Sequence, residues 1–296
     1  MLVRHGVPQG SIVGPVLFLV MINDIGMLGD VILFADDTTI SANGATPEEA
    51  RVNASAVFSR AKDWFTSNRL SLNENKTQLM TCTLASDVVP QLSEVTLLGL
   101  VIDSKLSWNS HITKVCSKLA RVVYLLRRLK PLLTVDYLKI VYHALFHSHL
   151  SYGLQLWGHA AGCSEVLLLQ KRAVRVISSS GPRDHCRPLF QRLGILTVYC
   201  QYLLISLTNI RAQVSQLPRR GDLHEYNLRG KNTISMPFCR LSKRKDSFPI
   251  LAMRMYNVLP AQFRDLPANQ FANSLKDWLL RNPLYSMKEY FELVGK

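Results

Sequence analysis

Val31-Ile32-Leu33-Phe34-Ala35-Asp36-Asp37-Thr38-Thr39-Ile40 decides the reading of this chain. An apolar run enters it, two adjacent acids interrupt it, and Thr38-Thr39-Ile40-Ser41 leaves it. β-forming runs on either side of a short polar break predict a tight antiparallel hairpin with the acids at its tip. Paired carboxylates on such a turn can be aimed into a cleft. Hard divalent cations such as Mg²⁺ take oxygen ligands of this kind and need few of them from protein. Two such ions clamp the attacking and leaving oxygens in phosphoryl transfer. The same residues also suit a plain surface turn, because Asp is a common turn former.

Working outward, Gly6-Val7-Pro8-Gln9-Gly10-Ser11 lies upstream. Two glycines flank a rigid proline, which suits a loop that approaches another molecule closely. An ordinary helix-entry loop with Ser11 as N-cap fits equally. Residues 13–28 are apolar and predict a helix buried under the hairpin, with Asp24 near its end. The apolar run from 12 to 22 is too short to span a bilayer. Downstream, Thr46-Pro47-Glu48-Glu49 is a helix start: a capping Thr, Pro at the first position and acids in the first turn. Ala50, Ala54, Val57, Phe58, Ala61, Trp64 and Phe65 then recur at helical spacing as a core-facing stripe. Leu70-Ser71-Leu72-Asn73-Glu74-Asn75-Lys76-Thr77 leads into a strand over residues 76–82, and 88–94 read as a loop. Residues 95–102, Val-Thr-Leu-Leu-Gly-Leu-Val-Ile, are apolar, with Gly99 placed for a kink or bulge.

From Trp108 the period turns helical. Ile112, Val115, Leu119, Val122 and Leu126 mark one buried face, and Lys114, Lys118, Arg121 and Arg128 lie near a second, basic one. That pairing suits a helix laid along a nucleic-acid backbone, and suits a basic solvent face as well. Further helices are expected over residues 136–149, 166–177 (with Lys171, Arg172 and Arg175 outward) and 188–210. His143 and His147 stand four apart and invite a zinc reading with His149, His159 and Cys163. They lack an HExxH acid and a CxxC pair, so packing or RNA-facing histidines are the favoured reading. Residues 213–245 are rich in basic residues and poor in helix signals, the best linker candidate, and short helices close the chain over 248–259, 271–280 and 286–293.

The 296 residues are enough for a substantial core, and their 48% hydrophobic content argues against disorder. The net charge of +14 is uneven. Residues 1–107 hold 7 Lys/Arg against 11 Asp/Glu, a net of −4, and the remainder holds 28 against 10, a net of +18. An acidic part followed by a basic part suits a metal site joined to a phosphate grip. Six scattered cysteines without a CxxC pair, and no signal-peptide pattern, predict reduced thiols in an intracellular protein, nuclear or cytoplasmic, with no membrane partner.

The Gly6–Ser11 loop, Phe34-Ala35-Asp36-Asp37, Leu70–Thr77 and Leu97-Leu98-Gly99-Leu100-Val101-Ile102-Asp103 occur in an order that resembles the later palm motifs of reverse transcriptases from non-LTR retrotransposons, most like the jockey-type group. The likeness continues through Leu106–Ile112, Tyr152-Gly153-Leu154-Gln155-Leu156-Trp157-Gly158 and Asn257-Val258-Leu259-Pro260. It implies an α+β fold: part of a palm (an antiparallel sheet with packed helices) over 1–107, a helical thumb and connection-like region over 108–212, a basic linker over 213–245 and a small helical region over 246–296. It implies Asp36 and Asp37 as catalytic Mg²⁺ ligands and Lys76 as the lysine near the nucleotide phosphates. Gln9, Gly10 and Ser11 would lie against template and nucleotide, Leu98 and Gly99 would form a primer grip, and Lys114, Lys118, Arg121 and Arg128 would meet the backbone.

The implied partners are an RNA template and a DNA primer, and a longer polyprotein or N-terminal segment. In the family, the first catalytic aspartate sits on a strand before the Gly6–Ser11 loop, a position that would precede Met1. The expectation is therefore an N-terminally truncated enzyme, holding Mg²⁺ weakly or not at all and inactive alone. The competing expectation is a non-catalytic RNA- or DNA-binding remnant using the basic half. A third is a partial gene product without a stable fold.

Overall fold

The computed structural model describes residues 10–84, 92–223 and 232–295. It is mostly helical with two small antiparallel hairpins, an α+β chain. Two compact units divide it: residues 1–95 with 103–106, and residues 96–102 with 107–296.

The first unit begins with α1 (Val13–Ile22), followed by a 3₁₀ turn, Asn23–Leu28. β1 (Asp30–Phe34) and β2 (Asp37–Ser41) form the expected hairpin, with Val31 opposite Ile40 and Phe34 opposite Asp37. Alternation puts Val31, Leu33, Thr38 and Ile40 on the half-buried face. That face goes with the contacts of the hairpin to the 3₁₀ turn and to α2 (Pro47–Ser67). The start of α2 is as read: Thr46 Oγ1 accepts from Glu49 N–H at 3.2 Å, and Glu49 Oε2 accepts from Ala45 N–H at 2.8 Å. Of the α2 stripe only Ala61 is fully buried, the rest being half-buried.

Two expectations fail in this unit. α1 is not a buried helix: only Gly14 and Ile22 are buried, while Val16, Leu19 and Val20 are 58%, 64% and 74% exposed. A helix apolar all round has no polar face to give to water, and the described residues cover only one stripe of it. Ser11 does not cap it either; Ile12 holds the cap position without a side-chain bond. The strand expected over 76–82 is a 3₁₀ turn, Glu74–Lys76, followed by chain without strand structure to residue 84, where Thr83 N–H bonds the Ser104 carbonyl at 3.2 Å. Neither hairpin takes this segment as a third strand, so it has no ladder.

β3 (Glu94–Leu97) and β4 (Leu100–Asp103) form the second hairpin. Gly99 does not kink a strand. It and Leu98 are the two turn residues, both with positive φ (+82° and +47°), the twist a two-residue hairpin favours.

The second unit is helical. α3 (Asn109–Leu129) buries all five stripe residues. A long helix follows: α4 (Val135–Val141), a π-helical turn at Tyr142–His147, and α5 (Ser148–Ser151). Leu138, Tyr142, Phe146 and Leu150 are all 2% exposed or less. Spacing of four drifts about 40° per step on an ideal helix, and a wide turn absorbs that drift. Tyr142 and Phe146 stack at 5.0 Å as a result.

Beyond the short α6 (Leu154–Trp157), α7 (Cys163–Ile177) lies along α3. The helix expected over 188–210 is two, α8 (Cys186–Leu193) and α9 (Val198–Gln213), bent by 51°. Gly194 ends the first of them, with Ile195 N–H bonded to the Phe190 carbonyl at 3.0 Å.

The basic stretch 213–245 contains α10 (Arg220–Leu223) and α11 (Ser242–Lys245). Ile234 within it is 2% exposed, and the Asn257 side chain bonds both its N–H (2.8 Å) and its carbonyl (2.9 Å). Arg229 and Lys231 lie outside the described residues. α12 (Ile250–Val258), α13 (Ala261–Arg264), α14 (Ala268–Arg281) and α15 (Met287–Val294) complete the unit. α12 and α14 both pack on α9, so the 108–212 and 246–296 segments share one core. Among the described residues no single helix is long and apolar enough to cross a membrane.

Gln170 sits at the centre of this core with no exposed surface. Its Nε2 donates to Tyr142 Oη and to the Leu196 carbonyl, both at 2.8 Å, and its Oε1 accepts from Val198 N–H at 2.9 Å. Gln170→Leu orphans these three buried groups. It is expected to cost about 3 kcal/mol or more, read as a lower urea midpoint by tryptophan fluorescence.

His111, His143, His147 and His159 are each held below the ordinary value of 6.5, burial being the largest cause. Lys114 and Lys118 add to it at His111, Lys139 and Lys276 at His143, and His143 and Lys276 at His147; at His159, Asp246 opposes it. Below the unfolded value the unfolded chain takes up protons that the folded chain refuses, so stability falls as pH falls through that value. Above it the contribution vanishes. Urea midpoints at about pH 7.5 and 5.5 should show this loss, and His143→Gln with His147→Gln should flatten it.

Candidate functional site

The acidic tip is built by two opposed β-runs closed by a two-residue turn, Ala35-Asp36. Ala35 takes φ +52°. A left-handed conformation costs a non-glycine residue about 1–2 kcal/mol, and such strain gathers at functional sites. Asp36 is in the turn itself, and Asp37 opens β2 opposite Phe34. Cross-strand partners share a face, so Asp37 stands beside Phe34 and Ile32, which are 62% and 66% exposed. Both carboxylates are exposed, and neither makes an ion pair among the described residues. Oxygen-only donors of this kind match Mg²⁺ in chemistry, an ion that keeps several waters and takes one or two carboxylates with substrate phosphates. Among the described residues no cluster of three metal-ligating side chains is present, and His143 and His147 pack ring to ring at 5.5 Å.

Lys76 belongs to the same unit, at the end of the 3₁₀ turn, and is exposed. That turn is tethered to α2 by Lys62 Nζ and Glu74 Oε1 at 2.6 Å; the lysine's hydrogen bond and charge hold Glu74 below the usual carboxylate range. No hydrogen bond or ion pair joins Lys76 to Asp36 or Asp37 among the described residues. Gly10 is exposed, with φ +86° and open space where a Cβ would stand, and Ser11 is half-buried. Gln9 lies outside the described residues.

In the second unit the Leu98-Gly99 turn is clamped. Tyr152 Oη donates to the Leu98 carbonyl, and a Cβ on Gly99 would meet the Tyr152 ring at 3.8 Å. Trp157 Nε1 donates to the Tyr152 carbonyl at 3.1 Å, and Gly153 lets the chain press on Leu100, where a Cβ would come within 2.7 Å of Cδ2. From the other side, His111 Nδ1 accepts from Val101 N–H at 3.3 Å. Burial keeps that imidazole neutral, which the acceptor role requires. Sequence reasoning picked out Leu98, Gly99 and the Tyr152-Gly153 motif but not their union; they are 54 residues apart, and periodicity carries no signal for that pairing.

On α3, Lys114, Lys118, Arg121 and Arg128 are exposed on the face opposite the buried stripe, without ion pairs among the described residues. The outward reading of α7 holds for Arg172 alone. Lys171 Nζ lies 3.7 Å over the Tyr285 ring, and Arg175 donates to the Asp184 carbonyl at 2.9 and 3.1 Å.

Residues 2–102 match the family model of reverse transcriptases, RNA-dependent DNA polymerases. The wider chain is similar to a probable RNA-directed DNA polymerase from transposon X-element of Drosophila melanogaster, 23% identical over an alignment of 265 residues that covers 82% of this chain and 28% of that protein. It is also similar to the polymerase of mobile element jockey from the same fly, 25% identical over 60% of this chain and 22% of that protein. A third relative, the probable polymerase of transposon BS, is 27% identical over 59% of this chain and 22% of its own length. The likeness is thus to jockey-like, non-LTR reverse transcriptases, and the chain spans less than a third of these relatives. No solved structure matches it.

Tyr152→Phe removes the hydroxyl that holds the Leu98 carbonyl. Amide hydrogen exchange over residues 94–103 is expected to quicken several-fold, with global stability changed by less than about 1 kcal/mol because the hydroxyl is exposed.

Proposed function

We propose that this chain is part of an RNA-directed DNA polymerase of a non-LTR retrotransposon, in which residues 1–107 carry the later palm and residues 108–212 a thumb. The observation that carries the reading is the Phe34-Ala35-Asp36-Asp37 turn, with both carboxylates open, inside the segment that matches the reverse-transcriptase family. Asp36 is the main ligand for Mg²⁺ and Asp37 the lesser one. When bound, the ion neutralises charge on the phosphates and orients them. Lys76 adds a point charge toward the nucleotide phosphates, Gly10 and Ser11 line the template side, and the Tyr152 clamp holds Leu98 and Gly99 in one shape against the primer end. The basic face of α3 grips the backbone of template and primer.

Two adjacent carboxylates supply only part of the ligand set that two-metal transfer needs. The 296 residues alone are therefore expected not to extend a primer, the remaining carboxylate coming from another part of the polymerase. Primer extension above the no-protein control, lost in Asp36→Asn, would overturn that expectation.

A second reading is a nucleic-acid-binding protein without catalysis, and the cations of α3, which make no ion pair among the described residues, favour it. Both readings predict salt-sensitive binding. Replacing Lys114, Lys118 and Arg121 with Gln should weaken binding to an RNA–DNA hybrid and lower the slope of log K against log salt by about 2–3. An unchanged slope would remove this helix as the grip.

A further inference from the structure

α3 and α7 pack side by side, and their C-terminal ends border a pocket of about 470 Å³ lined by Arg127, Lys130, Arg172, Arg175, Ser180 and, as apolar wall, Val176 and Pro182. Among the described residues no carboxylate lines it. We infer that this pocket is a second phosphate-binding site, separate from the basic face of α3, that takes a phosphodiester of a nucleic-acid backbone. The inference rests on the nucleic-acid reading above and deepens it.

The geometry separates the two surfaces. Arg127 stands six residues beyond Arg121, which places it about 120° round the helix at 100° per residue. The pocket therefore faces away from the stripe of Lys114, Lys118, Arg121 and Arg128.

Charge bookkeeping points to an anion. Cations at helix C-termini are ordinary, because each macrodipole ends in about half a negative charge. Two such ends supply about one elementary charge against four side-chain cations. The nearest carboxylate in the sequence of the bordering loop, Asp184, is bonded to Gly181 N–H at 2.7 Å. Even with it counted, positive charge stays in excess by about two.

Two of the donors, Arg175 and Ser180, are preset as well. Arg175 is fixed by its two bonds to the Asp184 carbonyl. Ser180 is held by its N–H on the Arg175 carbonyl at 3.0 Å and by a 2.9 Å hydroxyl contact with Ser178. Arg127, Lys130 and Arg172 are exposed and make no ion pair among the described residues. Guanidinium forks fit a phosphate two bonds at a time, which favours a phosphoryl group over a halide or a single carboxylate. The apolar side formed by Val176 and Pro182 suits the sugar that a phosphodiester carries.

The test uses the full chain and Arg127→Gln with Arg172→Gln, two exposed positions whose replacement leaves the core intact. Binding of an RNA–DNA hybrid is measured against KCl concentration, and melting is followed with and without inorganic phosphate. The double variant is expected to bind about tenfold more weakly, with a salt slope lower by about 1–2, and to lose the phosphate-dependent rise in Tm shown by the parent. An unchanged affinity and slope overturns the inference. If the Lys114, Lys118 and Arg121 variant still loses binding in that case, the nucleic-acid reading stands and only the pocket assignment fails; if neither variant matters, both fail. A lower Tm with an unchanged phosphate response assigns the cations to the helix ends alone and overturns it. Phosphate protection that the hybrid does not compete away marks a free-phosphate site and overturns the backbone assignment.

Discussion

Gln170 is the constraint on which the helical unit turns. A buried primary amide has two donors and one acceptor oxygen to satisfy, and all are served here by groups from three places in the chain. The Tyr142 hydroxyl fixes the rotation of the π-helical turn. The Leu196 carbonyl fixes the bend between α8 and α9. The Val198 N–H is one of the orphan donors of the α9 start, where Thr197 caps the next turn by accepting from Cys200 N–H and donates to the Leu284 carbonyl at 2.7 Å. A polar group in an apolar core is tolerated only when fully bonded, so these elements adopt their places together. The apolar contacts around it are many and interchangeable; this set is directional.

The described residues of the first unit show no equivalent. Few of their side chains are fully buried, Ile25 and Ala61 chief among them, while Val, Leu, Ile and Phe of α1 and of the outer face of the first hairpin are exposed. A two-stranded hairpin on one long helix has too little facing surface to cover a helix that is apolar all round. The acidic turn nevertheless forms, because its pairing is local and its half-buried face packs on the 3₁₀ turn and α2, which leaves Asp36 and Asp37 outward.

The candidate site divides along the same line between local and long-range order. The hairpin tip, the Thr46 cap and the two faces of α3 were legible because each depends on residues within a turn or two. Lys76 was misplaced because a strand exists only where a partner offers its edge, and the residues around it do not specify one. Gly99 was recognised as special but for the wrong reason; the turn it makes is set by the pairing of the strands on either side. The Tyr152 clamp and the pocket of Arg127, Lys130, Arg172 and Arg175 were not legible, because residues 42 or more apart meet only after the chain has packed.

By itself the sequence determined the helical stripes, their caps, the acidic hairpin and the separation of an acidic first third from a basic remainder. Periodicity and turn chemistry act over a few residues, and side-chain charge is fixed by composition. Only the tertiary structure decided that the described residues cover just one stripe of α1, that 188–210 is broken at Gly194, and that part of the basic stretch near Ile234 is bolted to Asn257. Each of those outcomes depends on which surfaces find partners across the chain, and burial of one apolar face looks the same in sequence whether or not a second surface arrives to meet it.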